Sequence, residues 1–403
     1  MRIISDAPKA WKYRPIGSFI DELESGVSVN SSEQEGDRNA RILKTSCVST
    51  GRFDASESKP VVRSEVKRLR CPVRKESIVI SRMNTPALVG ASAYVPVEHS
   101  GVYLPDRLWQ IVWKEKAPID PRWLAQLLGS SAGRVFLKLI SSGTSDSMKN
   151  ISKDAFLSAE VPTPPLIEQR EIANILSTWD EALEKVDALI AVKGRRKKAL
   201  LQQLLAGKIR LKGHAKFKRV KLADVAEESA GRNGSQLDRG RLYAVTKAEG
   251  MVPMRERVQG ATINRCKVVE RGWYAYNPMR LNIGSIARWE SNEPAMVSPD
   301  YVVFRTNENL LLSDYLNHVR RSAAWADFVG ASGNGSVRVR IWFDDLGRFS
   351  FPLPTVDDQR AIAAILNTAD EELRLLRKHR DAIDQQKSGL MQRLLTGKLR
   401  VRI

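Results

Sequence analysis

Apolar residues recur at alternating steps of three and four through two long stretches of this chain, and that spacing predicts helices that each bury one narrow stripe. In the first stretch the stripe is Ile172, Leu176, Trp179, Leu183, Val186, Ile190, Leu200 and Leu204. In the second it is Ile362, Leu366, Ala369, Leu373, Leu376, Ile383, Leu390 and Leu394. A seam of this kind is the signature of a coiled coil. Pro164 and Pro165 are tolerated only where the first helix opens, and Thr355 with Asp358 resembles a capping box in which Asp replaces Glu or Gln. Gly207 and Gly397 supply the left-handed residue that ends each helix. Leu166 to Ala206 is thus expected to form one helix of about 41 residues, roughly 60 Å long at about 1.5 Å per residue.

The two stretches are copies of one another. Pro162 to Leu211 returns as Pro352 to Val401 at a constant offset of 190 positions, without insertion or deletion. About twenty of about fifty aligned residues are identical, more than shared helix composition would give. A narrow apolar stripe on so long a rod needs a partner, and the other copy is the nearest candidate. Burying each large seam side chain is worth roughly 1.5–3 kcal/mol, so the seams are expected to pair, antiparallel. The competing arrangement, each helix packed only on its own domain, would call for a wider apolar face.

Outside these stretches the long period disappears. Short β-like runs such as Glu76 to Ile80 and Arg107 to Trp113 lie between turn residues, with helical pattern at Pro121 to Leu128 and Gly133 to Ile140. A second segment follows the same plan with little identity. Trp11 to Phe19 finds its echo in Phe217 to Val225, Ser81 to Ala93 in Asn277 to Ala287, and Leu104 to Val112 in Ser298 to Thr306. Gly143 to Phe156 aligns with Gly333 to Leu346, again at the offset of 190. The expected class is α+β: two globular mixed domains joined by two long helices, an internal repeat with an approximate two-fold axis. The expected division is domain 1 over 1–162, a spacer helix over 163–207, a linker over 208–216, domain 2 over 217–351, a second spacer helix over 352–397 and a tail over 398–403.

Charge now adds a partner. A formal net charge of +19 over 403 residues favours a polyanion, and nucleic acid is the commonest. The N-terminus lacks a signal-peptide core and no stretch approaches a membrane span, so the expected compartment is cytoplasmic and no membrane partner is expected. Cys47, Cys71 and Cys266 are far apart and read as reduced thiols, with no metal site. Two diverged domains on like supports suit a molecule that reads two different things at a set separation. Antiparallel rods would place the domains at opposite ends, so that they could approach two unlike half-sites of double-stranded DNA. A rod of about 60 Å corresponds to roughly 18 base pairs.

These features resemble the specificity subunit of type I restriction-modification systems. The residues that carry the likeness are ProProLeuIleGluGlnArgGluIle (Pro164 to Ile172), its second form ProThrValAspAspGlnArgAlaIle (Pro354 to Ile362), and the closing LeuLeuAlaGlyLys (Leu204 to Lys208) and LeuLeuThrGlyLys (Leu394 to Lys398). Copy two departs from the pattern where Thr355 and the Asp pair replace ProPro and Glu. The resemblance implies two target-recognition domains for a bipartite DNA sequence and a helix pair that sets their spacing. It also implies docking of two modification (methyltransferase) subunits, which carry S-adenosylmethionine and methylate adenine, and through them of restriction subunits. No cofactor is expected in this chain itself.

Motifs for catalysis are weak. Asn277 to Arg280 (AsnProMetArg) lacks the aromatic residue that would stack a flipped base, and the Gly-rich run Gly330 to Gly335 has no strand-turn-helix unit around it. His99, His214, His318 and His379 are scattered. The chain is therefore expected to be a non-catalytic subunit. Arg prefers guanine edges and Asn adenine edges, so the corresponding loops supply the DNA-binding candidates. They are Arg82, Asn84, Ser145, Lys149 and Asn150 in domain 1, and Arg280, Asn282, Asn334, Ser336, Arg338 and Arg340 in domain 2. Each also fits an ordinary turn residue, a solvated charge or a phosphate contact. The basic run Gly194 to Lys198, with Arg380 and Lys387, interrupts the seams and reads as either a solvated helix face or a contact to acidic partner helices or DNA phosphates. Rival readings are a stand-alone bipartite DNA-binding regulator and a single-chain methyltransferase or nuclease.

Overall fold

A computed structural model describes residues 1–143, 147–209, 217–255, 262–332 and 340–401. The chain divides into two compact units: Met1–Asp187 with His379–Ile403, and Ala188–Lys378.

In the first unit, strand Lys12–Pro15 pairs antiparallel with Glu160–Thr163, tying the start of the domain to the residues that enter the first long helix. Strands Ile20–Ser25, Leu108–Trp113, Ile78–Ser81 and Ser92–Tyr94 form, in that order, a four-stranded antiparallel sheet. Helix α1 (Pro121–Gly129) starts where the Asp120 carboxylate accepts from the Arg122 and Trp123 amides and Pro121 needs no donor. Helices α2 (Ser131–Leu139) and α3 (Lys153–Leu157) begin in the same way on the hydroxyls of Ser130 and Ser152. The long helix α4 is Leu166–Leu205. Trp109, Trp123, Phe19 and Phe156 fill the core, and Ile172, Ala173 and Leu176 of α4 are continuous with it.

The second unit repeats the plan. Lys218–Lys221 pairs with Ser350–Leu353, and Ala226–Glu228, Val302–Thr306, Tyr274–Tyr276 and Ile286–Arg288 form its four-stranded sheet. A second four-stranded sheet contains Gly250–Pro253, Leu242–Thr246, Ala295–Val297 and Lys267–Val269. Helices α5 (Ser313–Val319), α6 (Ala323–Ala331) and α7 (Phe343–Leu346) lead to the second long helix, α8 (Val356–Leu395). Tyr274 stacks on Phe304 with ring centroids 5.0 Å apart. Leu201, Leu204 and Leu205 from the end of α4, and Ile362 and Leu366 from the start of α8, complete this core.

The long helices therefore pack together, and in each unit they run in opposite directions. In the first unit Glu168 meets Arg400 at 2.6 Å, Asp180 meets Lys387 at 2.8 Å and Asp187 meets Arg380 at 3.3 Å, so one number falls as the other rises. In the second unit Lys193 pairs with Glu372 at 2.5 Å and Lys197 with Asp370. The boundaries of the two compact units fall inside α4 and α8, and the ends of both seams merge with the domain cores.

The helix ends follow from particular residues. Thr355 caps α8: its hydroxyl accepts from the Asp358 amide at 3.3 Å and donates to the Asp358 carboxylate at 2.8 Å. Gly207 (φ +65°) and Gly397 (φ +69°) take the left-handed conformation, and the Lys208 amide returns to the Gln203 carbonyl at 2.9 Å. A β-carbon on Gly397 would also lie 2.3 Å from Pro8.

Of the seam residues, Ile172, Leu176, Leu183, Leu204, Ile362, Leu366, Leu373 and Leu394 are buried. Trp179, Val186, Ile190, Leu200, Ala369, Leu376, Ile383 and Leu390 are half-buried, as a two-helix contact with no third layer leaves them.

Candidate nucleic-acid interface

In the first unit four of the five candidates come together on a small sheet. Met83–Asn84 pairs with Lys149–Ile151, setting Lys149 opposite Asn84 and Asn150 opposite Met83, and the Ile151 amide donates to the Arg82 carbonyl at 2.9 Å. Their side chains are partly committed to the loop itself. Arg82 donates from Nε to the Asp106 carbonyl at 2.7 Å and lies 5.8 Å from the Trp109 ring. The Asn84 side chain bonds Ser81 Oγ at 3.1 Å and the Thr85 amide at 2.8 Å, and Lys149 Nζ bonds the Gly143 carbonyl at 2.9 Å. Asn150 Oδ1 is buried and has no hydrogen-bond partner among the described residues. Ser145 lies outside the described residues, as do Asn334, Ser336 and Arg338.

The second unit builds the same corner from other side chains. The Ile341 amide donates to the Pro278 carbonyl at 3.0 Å, the counterpart of the Ile151–Arg82 bond. That bond brings the segment of Arg340 beside the turn of Arg280 and Asn282. The turn closes through the Arg280 amide on the Asn277 carbonyl (2.9 Å) and the Ser285 amide on the Arg280 carbonyl (3.0 Å). Arg280, Asn282 and Arg340 are exposed, and their side chains make no ion pair or hydrogen bond among the described residues. Charged donors held by a backbone that spends none of them internally can reach a polyanion. Met279, Ile283 and Trp342, all exposed, flank them. Sequence reading missed this apolar edge, since single apolar residues in a turn carry no periodic signal.

The seam cations need correction. Lys387, 15% exposed, pairs with Asp180 of the facing helix, and Arg380, 37% exposed, pairs with Asp187 at the edge of the contact. Lys197 pairs with Asp370 in the same way. Arg195, Arg196 and Lys198 are exposed and make no ion pair among the described residues.

Two buried glutamines were also missed. Gln169 Oε1 accepts from the Asp120 amide at 2.8 Å, while Nε2 donates to the Pro164 carbonyl at 2.9 Å and the Pro118 carbonyl at 3.2 Å. Gln359 repeats this on the Leu312 amide (2.8 Å) and the Pro354 (3.0 Å) and Leu310 (2.8 Å) carbonyls. Each clasps the first turn of its long helix to the preceding domain. Their identity at the constant offset was the signal.

Elsewhere the chemistry is structural. Asn277 Oδ1 accepts from the Met279 amide at 3.0 Å, which holds a turn. Burial pushes the Cys47 thiol up to about 12, away from the reactive thiolate. Among the described residues there is no group of His, Cys, Asp and Glu that could hold a metal ion, and no helix long and apolar enough to cross a membrane.

Comparison with known proteins agrees with this architecture. Residues 8–193 match the family model of the type I restriction modification DNA specificity domain. A Methanocaldococcus jannaschii relative bearing the name of the MjaX type I restriction enzyme specificity subunit is 22% identical, over 99% of this chain and 96% of its own length. The EcoKI specificity subunit of Escherichia coli K12 is 25% identical over 56% of this chain and 50% of its own. Among solved structures, the S subunit of a type I restriction-modification system from M. genitalium aligns at TM-score 0.57 and 15% identity, covering 95% of this chain and 96% of that one. A structure from work on complex assembly and conformational transition of the type I R-M system aligns at 0.55 and 16% identity, covering 98% and 100%.

Proposed function

We propose that the chain is a specificity subunit of a type I restriction-modification system, that it reads a bipartite DNA target, one half-site through the globular domain of each unit, and that it docks methyltransferase and restriction subunits. As a specificity subunit it recognises DNA sequence and is not itself the catalyst. S-adenosylmethionine would be bound by the methyltransferase partner. The observation that carries the bipartite reading is the repeated loop tie with unlike side chains. Around one repeated backbone bond, the first unit offers Arg82, Met83 and Asn84, and the second offers Pro278, Met279 and Arg280. One scaffold with two sets of donors reads two different sequences.

The test is methylated-base sequencing of host DNA with and without this gene, then with the Arg280→Ala/Arg340→Ala variant. Loss of one split adenine motif on deletion is expected. The variant should relax one half of that motif and leave the other intact. An unchanged methylation pattern on deletion would refute the reading, and relaxation of both halves together would refute the assignment of one half-site per domain.

A further inference from the structure

A pocket of about 550 Å³ opens within the second unit, lined by Thr246–Met251, Ile286–Ser291 and the residues that end α5. Four cations line it, Lys247, Arg288, Arg320 and Arg321, against two carboxylates, Glu249 and Glu290. Arg288 is matched to Glu290 at 2.8 Å and Asp314 at 3.0 Å, and Arg321 to Asp370 at 3.0 Å. Arg320 is not. It donates from Nε to Asn317 Oδ1 at 2.9 Å and from Nη1 to the Ile286 carbonyl at 3.4 Å, and it makes no ion pair among the described residues. Lys247 makes none there either.

The fold does not require a cation at this corner. Gln169 and Gln359 hold equivalent amides, those of Asp120 and Leu312, and counting from them aligns Arg320 with Leu128 and Asn317 with Ala125. Arg288, opposite Tyr274 in the sheet, aligns with Tyr94, opposite Ile78. Leu128 is fully buried in the apolar core of the first unit. The second unit instead places a guanidinium there and leaves space in front of it. Partly burying that group without a counter-charge is unfavourable, and burial lowers its affinity for its proton. The natural compensation is a ligand of opposite charge.

We infer that this pocket is a binding site for a phosphate group, held by the Arg320 guanidinium and the Lys247 ammonium. A planar fork of donors matches phosphate oxygens, and the volume lies within the roughly 300–1,000 Å³ of ligand sites, so the phosphate can be part of a larger molecule. Its source is either a phosphodiester of bound DNA, in which case the inference rests on the DNA-reading function, or a free phosphate compound.

The full-length chain is compared with Arg320→Leu, the residue of the equivalent position in the first unit, and with Arg320→Lys. Sodium phosphate is titrated calorimetrically against chloride at matched ionic strength. In parallel, the affinity for a random-sequence duplex is measured across salt. Phosphate should bind wild type, roughly tenfold or more weakly bind Arg320→Leu, and bind Arg320→Lys at an intermediate level. If the phosphate is that of DNA, Arg320→Leu lowers the slope of log affinity against log salt by about 1; if it is free, only the phosphate titration changes. No phosphate binding by wild type together with unaltered salt slopes in both variants would overturn the inference. Failure of wild type to bind any duplex would count against the DNA-reading function and leaves the phosphate titration to decide this site.

Discussion

The C-terminal Arg400 and the helix-opening Glu168, 232 positions apart, form a clasp whose removal has a calculable effect. Glu168 is 0% exposed; Arg400 donates to it from Nε at 2.6 Å and Nη2 at 2.9 Å, and Trp11 Nε1 adds a bond at 3.2 Å. Arg400→Met would keep much of the packing beside Trp11 but leave a carboxylate with one donor. Breaking a fully buried pair costs about 3–5 kcal/mol. Arg400 is 45% exposed, so water can reach the carboxylate once the guanidinium is gone, which reduces the expected loss to about 2 kcal/mol. Arg400→Lys keeps the charge but not the two-pronged bond and should fall between. The assay is urea unfolding of the full chain for wild type, Arg400→Met, Glu168→Gln and the double variant. The double variant should be more stable than the sum of the singles predicts, by about 1 kcal/mol or more. A loss below about 0.5 kcal/mol for Arg400→Met, the level of an ordinary surface change, would refute the claim that the tail locks the start of α4.

Two further outcomes follow from buried polar groups. Replacing Gln359 by Leu strands the Leu312 amide and two carbonyls, so a loss of about 3 kcal/mol is expected, with faster amide exchange in the first turn of α8 but not of α4; Gln169→Leu should do the reverse. His318 is buried, with Nε2 on Asn367 Oδ1 at 2.8 Å and Nδ1 without a partner among the described residues, and burial lowers its pKa below the usual 6.5. Between the lowered folded value and 6.5 the unfolded chain binds more protons, so stability falls as pH drops below 6.5, by at most about 1.4 kcal/mol per pH unit. Urea midpoints at pH 7.5 and 5.5 should show this slope reduced in His318→Gln, and an unchanged slope would remove His318 as its source.

The rods were legible because periodicity is a local property that persists over the 40 residues of α4, and because duplication doubled the signal. The end glycines were legible for the same reason. What Leu394 packs against was not: it joins the same core as Ile172, and no spacing rule carries information across that distance in sequence. Hence the helix ends read as seam although they belong to domain cores, where Leu201 and Leu205 are buried beside the expected Leu204. The candidate loops were chosen because they correspond between the two domains, and that correspondence says nothing of how each side chain is used. Arg82 and Asn84 satisfy backbone groups of their own corner, whereas Arg280 and Arg340 do not, and that difference depends on backbone direction. Arg320 sits at a helix end, where a basic residue looks like ordinary dipole compensation.

The ion pairs in the seam explain why the two copies lie antiparallel. Asp180 and Asp370 occupy equivalent positions of the repeat, as do Lys197 and Lys387. Antiparallel pairing joins Asp180 to Lys387 and Asp370 to Lys197, so one inherited pair is made twice. Parallel pairing in register would set aspartate against aspartate and lysine against lysine. Lys387 and Lys197 are only 15% and 17% exposed, so like charges there would be poorly screened. Leu176, Leu183, Leu200 and Leu204 match Leu366, Leu373, Leu390 and Leu394 in the other copy, so these seam positions by themselves do not select a direction. The charges that seem to interrupt the seam therefore select its direction, and duplicating one sequence was enough to supply both halves of the code.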